Sequence, residues 1–432
     1  MPGTQAALPA VHRRRPLPLS AAAAHACGHD RNNRQAARVH VTEAESRVLT
    51  CGCHIGHTRC PTARTAGDPL RFVRSLPCCP CCPQPRHSPR TGRQAGIAEG
   101  WRLATSASVQ YQALHAGPLD DDGFRRQRVA ATLVSPQGIA FKVDYDFAAG
   151  TWADVALQVP FTGAQRLRIG QVKAPLGLET FGSHRDVALL ERASLSTLLP
   201  GRRVGVKWSA ARGASHYTVF AAGDSLDRQE RGAGLYARAT RAFGASTEWV
   251  SCTWVSAADV TGVGSLRLRG RPDVSGLPLV GADSGEIDQP DRVDRIALEA
   301  AWDRGPWTVQ AEYARLRAYR ERSATAAGPL PDIDGAGTYL MASWRPGGQS
   351  RSYRDGLFRS ATGSSAAGVF ELVARLSWLS VEDQAGRTQA GRSTALGASW
   401  SFASRWRLQA QVSTSPDDDA GAIHGLRLHY RF

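Results

Sequence analysis

The sequence predicts an all-β, 16-stranded antiparallel transmembrane β-barrel, and three observations carry that prediction. From residue 100 on, apolar and polar residues alternate with period two, and no comparable helical stripe interrupts them. The links between these segments also alternate, short turns with long polar loops. The chain ends on Gly425-Leu426-Arg427-Leu428-His429-Tyr430-Arg431-Phe432, oily on one face, basic on the other and closed by an aromatic. About 9–11 such residues cross a bilayer as a tilted strand. No stretch approaches the roughly 18 apolar residues of a membrane helix, so a spanning structure has to be a closed sheet.

Composition breaks sharply near residue 96. Eight of the nine cysteines precede it, whereas all eleven tryptophans and all nine tyrosines follow it. Residues 1–96 hold 14 arginines against 4 acids, so two thirds of the formal net charge of +15 sits there. Arg13-Arg14-Arg15 before Leu17, Leu19 and Ala21–Ala24 has the order of a signal peptide, but Pro16 and Pro18 break a short, weakly apolar middle. The Cys/His run from Cys51 to Cys60 and Cys78-Cys79-Pro80-Cys81-Cys82 is too cramped and irregular for paired zinc ligands. The expectation is a disordered or mis-assigned N-terminal extension over 1–96 and a barrel domain over 97–432, with no metal site.

The strands follow in order. Trp101, Leu103, Thr105, Ala107, Val109 and Tyr111 share one face. The turn Ser135-Pro136-Gln137-Gly138 leads into Ile139, Phe141, Val143, Tyr145 and Phe147. Val155, Leu157 and Val159 precede a turn at 162–165, after which Leu167 and Ile169 alternate with Arg166 and Arg168. Val204, Val206 and Trp208 continue the pattern, as do Ile296 to Trp302, Trp307 to Tyr313, Phe370 to Trp378 and Trp406 to Val412. Aromatics gather at strand ends, which suits two interfacial girdles better than a soluble sandwich.

Short turns are expected at 135–138, 162–165, 212–214, 244–246, 303–305 and 403–404. Longer links are expected at 113–123, 174–201, 257–293, 318–336 and 415–421. Placing 264–271 inside a loop gives 16 strands; counting it as a strand gives 17, against the even rule for bacterial barrels. Parity then makes 346–368 an unusually long periplasmic link. The link after the fifth strand is long enough to fold inward as a third loop.

Strand parity turns Arg126, Arg128, Lys142, Arg166, Arg168, Arg203, Lys207, Arg405, Arg407, Arg427 and Arg431 toward the lumen. Asp144, Asp146, Glu299, Glu312 and Glu371 share that face but are sparse in the first six strands. A channel with low-dielectric walls and excess positive charge concentrates anions. The bland alternative is that lumen charges merely solvate the pore and pair across it. Only three of the basic residues after 96 are lysines, and guanidinium offers forked donors to oxyanions.

The stretch RLRIGQVKAPLGLE at 166–179, with LLERASLSTLLPGRRVGV at 189–206, resembles the phosphate-selective porin O and P family. FRRQRVAATL at 124–133, FKVDYDFAAG at 141–150, ALEAAWDRGPWTVQAEYARL at 297–316, SWRPGGQSRSYR at 343–354 and the terminal strand match in the same order, so the resemblance covers about 100–432. It implies a homotrimer of 16-stranded barrels in the lipid of a Gram-negative outer membrane, passing inorganic phosphate, polyphosphate or other small anions without a cofactor. The matching motifs nominate Arg125, Arg126, Arg128, Arg166, Arg168, Lys173, Arg202 and Arg203 as anion-binding pore residues, and parity adds Lys142 and Lys207. Many members are general, non-specific porins, and that is the nearest alternative.

Other classes fit less well. An outer-membrane barrel enzyme needs a catalytic set at the rim, and His115 with Asp120–Asp122 or His184 near Asp186 are more simply solvated loop charges. Asp120–Asp122 and Asp417–Asp419 lack the interleaved oxygens of a calcium loop. A plugged structural barrel would show the same alternation. A nucleic-acid binder would carry an exposed basic patch, whereas here bases alternate with apolar residues. Cys252 reads as a small packed residue.

Overall fold

The computed structural model describes residues 93–432 apart from 245–247, 262–263, 272, 289, 321–323, 326–327, 362–366 and 416–420. The signal-like start and the Cys/His runs lie outside the described residues, as do Asp417–Asp419 and the side chain of Cys252.

Sixteen strands pair in chain order, all antiparallel. They are β1 (Trp101–Ala116), β2 (Leu119–Val134), β3 (Ala140–Asp146), β4 (Thr151–Pro160), β5 (Arg166–Lys173), β6 (Arg202–Arg212), β7 (Ser215–Ala222) and β8 (Ala233–Phe243). Then come β9 (Glu248–Thr261), β10 (Arg292–Arg304), β11 (Trp307–Tyr319), β12 (Ile333–Trp344), β13 (Val369–Glu382), β14 (Thr388–Phe402), β15 (Trp406–Thr414) and β16 (Ala422–Arg431). The last strand pairs with the first, from Ser108↔Arg431 to His115↔His424, so the pairings form a ring. Arg93–Ala98, which straddles the composition break, pairs with β1 from Thr105 to Trp101, just past the end of β16 on the same edge.

The two sides of the ring invert the usual order of a soluble fold. Leu340, Leu376 and Leu396 are 53, 57 and 59% exposed, whereas Arg203, Arg345 and Arg375 are at most 1% exposed. Side chains in a strand alternate in direction, so apolar residues of one parity look outward and charged residues of the other look in. An exposed apolar face this extensive marks a surface that meets lipid or protein rather than water. Trp307 stacks on Trp344 and Trp400 on Phe402 toward one rim, where a girdle is expected.

An even strand count puts both ends of the ring on one rim. That rim has tight turns: at 135–139 Ser135 exchanges backbone bonds with Gly138 and Ile139, and Gly138 takes φ +84°, which a Cβ would oppose. The opposite rim carries 174–201, 223–232, 262–291 and 320–332. One link expectation is corrected and another is met. The long link expected at 113–123 is a tight turn at 117–118, because β1 and β2 run on as a ladder to Ala116↔Leu119. Residues 264–271 do lie in a loop, where Leu266–Gly270 pairs with Ala282–Ile287 as a separate hairpin. Arg405, expected inward, sits in the exposed turn after β14, its guanidinium 5.9 Å from the Phe432 ring.

Candidate functional site

The lumen is divided into an apolar half and a charged half. Inward-facing Val293, Leu316, Ile333, Met341, Val373 and Val381 on β10–β13 are buried against the loop after β5 and the 266–287 hairpin. That loop begins with α1 (Leu178–Phe181), continues through a 3₁₀ turn at Ser194–Leu198 and supplies Leu176, Leu189, Leu195, Leu198 and Leu199 to the cluster. Each fully buried leucine contributes about 2 kcal/mol relative to exposure.

Small residues make room for these leucines. A Cβ at Gly335 would stand 2.9 Å from Leu198, and one at Gly337 would stand 2.9 Å from Leu195. Gly397 and Gly425 meet Leu189 and Leu190 in the same way. Glycine inside a strand often marks the close approach of another segment, and here that segment is the loop after β5.

Polar bonds fix the loop from end to end. Glu312 on β11 accepts the Leu178 and Glu179 N–H groups at 2.8 and 2.9 Å and the Tyr339 hydroxyl at 2.6 Å. Arg375 on β13 pairs with Glu179 at 3.2 Å and with Asp273 at 2.7 Å. Arg407 donates to the Val187 carbonyl at 3.0 Å, and Gln411 accepts the Leu190 N–H at 2.9 Å. Glu191 pairs with Arg125 at 2.7 Å, Arg427 at 2.8 Å and Arg126 at 3.5 Å. Burial pushes the Glu191 carboxyl up, but Arg126, Arg427 and Arg125 outweigh it and hold it well below the ordinary carboxylate range. A carboxyl depressed on folding stabilises fully above its unfolded value of about 4.3 and loses that contribution as pH falls toward the folded value. The clamp is therefore expected to hold from pH 8 to about 5 and to loosen only in stronger acid, so the conductance profile over that range should keep its shape in Glu191→Gln; a step present in the wild type and lost with Glu191 would contradict the clamp.

A second segment packs against this loop from the other rim. In the link after β12, Tyr353–Arg354 pairs with Leu357–Phe358 as a short hairpin. Leu357 and Phe358 bury against Leu178 and Ala301. Ser360 donates its N–H to Asp186 at 2.9 Å, joining the two segments. Length alone flagged this link in the sequence; nothing there shows that it turns inward.

The charged half encloses a cavity of about 280 Å³ lined by Arg128, Lys142, Arg166, Arg168, Lys173, Arg202 and Lys207, with Asp144, Asp154, Asp355, His184, His216, Arg185 and Arg359. Seven of the ten sequence-nominated residues thus meet in one space. The other three stand elsewhere. Arg125 and Arg126 clamp Glu191, and Arg203 is 1% exposed, its guanidinium donating to the Gly223, Arg231 and Gly232 carbonyls. Of the other members, sequence reading passed over Asp154, His216, Asp355 and Arg359. Asp154 escaped because the register shifts between β3 and β4 around Val143 and Tyr145 and breaks simple parity.

Within the cavity the charges are unequally matched. Arg128 forks onto Asp144 at 2.6 and 3.1 Å, Lys142 bridges Asp144 and Asp154 at 3.1 and 2.9 Å, and Arg202 reaches Asp154 at 2.9 Å. Arg166 reaches Asp355 only at 3.4 Å. Arg168 donates to the Gln158 side chain at 2.8 Å, Lys173 to the Thr180 and Gly182 carbonyls, and Lys207 to the Lys173 carbonyl at 3.1 Å. Among the described residues, Arg168, Lys173, Lys207 and Arg185 have no carboxylate partner. On the apolar side, by contrast, Arg238–Glu299, Arg345–Asp303 and Arg375–Asp273 are closed buried pairs at 2.6–2.8 Å. A larger hollow of about 700 Å³ on the outward face is walled by Leu372, Leu396, Val412 and Leu426 and offers an anion little.

An inside-out ring of sixteen strands with an inserted loop and a cationic cavity invites comparison with known proteins. The profile of the phosphate-selective porin O and P family matches residues 109–432, three quarters of the chain. The chain belongs to that family. As a member it is an outer-membrane channel protein of the Gram-negative envelope. Among solved structures, in-vitro folded OmpT, an outer membrane protein of Vibrio cholerae, is 12% identical with a TM-score of 0.52, over 78% of this chain and 98% of that one. The loop L8 deletion mutant of that protein is also 12% identical, with a TM-score of 0.51 over 77 and 100%. The outer membrane channel DcaP of Acinetobacter baumannii is 11% identical, with a TM-score of 0.49 over 79 and 100%. No curated protein matches the chain. His115 and Asp120, 2.7 Å apart and exposed, belong to the outward side near the rim.

Proposed function

We propose that this family member is a passive, anion-selective diffusion channel, with inorganic phosphate or polyphosphate as its leading substrate. Its sixteen strands span the outer membrane as a closed barrel, and the third loop narrows the lumen so that ions pass along the charged half. Arg128, Lys142, Arg166, Arg168, Lys173, Arg202 and Lys207 line that passage. Arg125, Arg126 and Arg203 act on it indirectly, through the loop and the wall. The observation that carries the reading is the set of cations without carboxylate partners in the cavity. A dry, charge-balanced lumen would solvate itself; an unbalanced one recruits anions. Forked guanidinium donors replace part of an oxyanion's hydration shell, and several moderate sites in series let the ion leave again. The protein assembles as a homotrimer in outer-membrane lipid, as the family resemblance implies, and needs neither cofactor nor metal.

The nearest rival is a general porin that passes small solutes by size. Titrating inorganic phosphate into chloride during single-channel recording separates the two. The proposal expects a saturable fall in chloride current as phosphate occupies the passage. A current that is indifferent to phosphate at millimolar levels would favour the general porin.

A further inference from the structure

A second group of polar side chains lies on the wall formed by β15, β16 and β1. The side chains of Ser108, His429, Arg431 and Arg407 all face inward there. Register brings them together: Ser108 lies directly opposite Arg431, and His429 lies directly opposite Arg407. Facing partners on neighbouring strands stand roughly 5 Å apart, so these four occupy one patch. His184 covers the patch from the third loop, its ring centroid 6.4 Å from that of His429.

These side chains bring several polar atoms together away from solvent. Ser108 Oγ, His184 Nε2, His429 Nε2, Arg431 Nε and Arg407 Nε are all buried without a hydrogen-bond partner. A buried polar atom left without a partner is costly, and the Arg431 and Arg407 Nε–H groups can only donate, so the group points to a partner that accepts. The His184 tautomer is settled by its neighbour. Arg128 lies 2.9 Å from Nδ1 and can only donate, so Nδ1 accepts and Nε2 carries the proton. Burial, followed by Arg126 and Arg128, holds the His184 imidazole well below its ordinary value, so it is a neutral donor at pH 7.

The charges around the patch come from every side. Arg126 and Arg128 reach it from β2, Arg185 and Lys173 from the third loop and its start, Arg407 from β15, and Arg427 and Arg431 from β16. Arg128 is matched by Asp144, Arg126 and Arg427 by Glu191, and Arg407 lies 3.9 Å from Glu371. Among the described residues, Arg185 and Arg431 have no carboxylate partner. Asp186, bound to Arg359, also acts on Arg185, Arg407 and Arg431; the balance stays positive, which suits an anion with several oxygens.

We propose that Ser108, His184, His429 and Arg431 form a tetrahedral-oxyanion subsite, for phosphate or sulfate, on the β15–β16–β1 wall beyond the main cavity. It rests on the reading that anions enter this lumen, and it adds a binding station with imidazole donors that none of the sequence-nominated residues supplies. A single ion held between the loop and the wall would receive hydrogen bonds from both and would brace the loop against the last strands.

The test uses the full-length channel in planar bilayers, with inorganic phosphate as probe and chloride as carrier. For wild type, His184→Phe, His184→Gln, His429→Phe and Ser108→Ala, two readouts are taken: the phosphate concentration that halves the chloride current, and the reversal potential in a chloride gradient. The Phe variants are expected to raise the half-blocking concentration about tenfold, which is about 1.4 kcal/mol, and Ser108→Ala severalfold. His184→Gln keeps both an acceptor for Arg128 and an N–H donor, so it stays near wild type. Anion-biased reversal potentials persist throughout. Block unchanged in both Phe variants and in Ser108→Ala would overturn the subsite while leaving the channel reading intact. A wild type with no anion bias would remove the channel reading itself, and a biased channel that phosphate does not block would remove the subsite and phosphate as leading substrate together, leaving only the anion bias.

Discussion

In a channel carrying Arg166→Glu and Arg168→Glu, the anion preference is expected to disappear or invert. Both side chains line the charged cavity, and neither is locked into a tight ion pair: Arg166 meets Asp355 only at 3.4 Å, and Arg168 meets a neutral glutamine. Their charge is therefore felt by a passing ion rather than cancelled at the wall. At about 6 Å and an effective dielectric of about 60, one unit charge is worth about 1 kcal/mol to a monovalent ion. Two reversals change four unit charges, or about 4 kcal/mol, which shifts relative anion occupancy by more than about a hundredfold. Added salt screens part of this, so the change is largest in dilute electrolyte. The check is the reversal potential across a chloride gradient, with Arg387→Gln, an exposed turn arginine paired to Asp383, as control. Selectivity unchanged in the double variant would remove these two residues from the ion path.

The second large effect is expected from filling the glycine track. Gly335→Val with Gly337→Val places branched side chains where Leu198 and Leu195 now rest, the latter position also bounded by Leu379 and the Trp378 carbonyl at 3.2 Å. Overpacking costs about 1–3 kcal/mol per site, comparable to the burial that each leucine contributes. The strand cannot yield, because its backbone is paired on both sides. The 3₁₀ turn at Ser194–Leu198 gives way instead, and single-channel conductance rises as the lumen widens. Gly223→Ala, where a Cβ meets nothing within 4 Å, should leave conductance unchanged. An unaltered conductance in the double variant would show that the third loop is not what narrows the pore.

Much of this architecture is legible in the chain because lipid and lumen make opposite demands on alternate residues. Strand parity finds Leu298, Leu372 and Leu376 on one side and Glu299, Glu371 and Arg407 on the other. The partition of the lumen is harder to read. Leu316, Ile333, Val373 and Val381 are apolar on the inward face, which from sequence alone resembles noise on a polar lining. Only the loop that buries them gives them meaning, and that contact joins residues far apart in the chain. The glycines at 335, 337, 397 and 425 carry the clue, since each falls at inward parity inside a strand. Basic residues behave similarly: sequence parity places Arg203 beside Lys207, but only the structure distinguishes a guanidinium spent on backbone carbonyls from an amine in the cavity. Asp355 and Arg359 were beyond reach because a link at the far rim gives no sign that it folds inward.

One recording tests the central claim most directly. With the full-length protein inserted in a planar bilayer and a tenfold potassium chloride gradient across it, discrete current steps should appear, and the reversal potential should take the sign set by chloride. A reversal potential set by potassium, or a protein that inserts without conducting, would contradict the account.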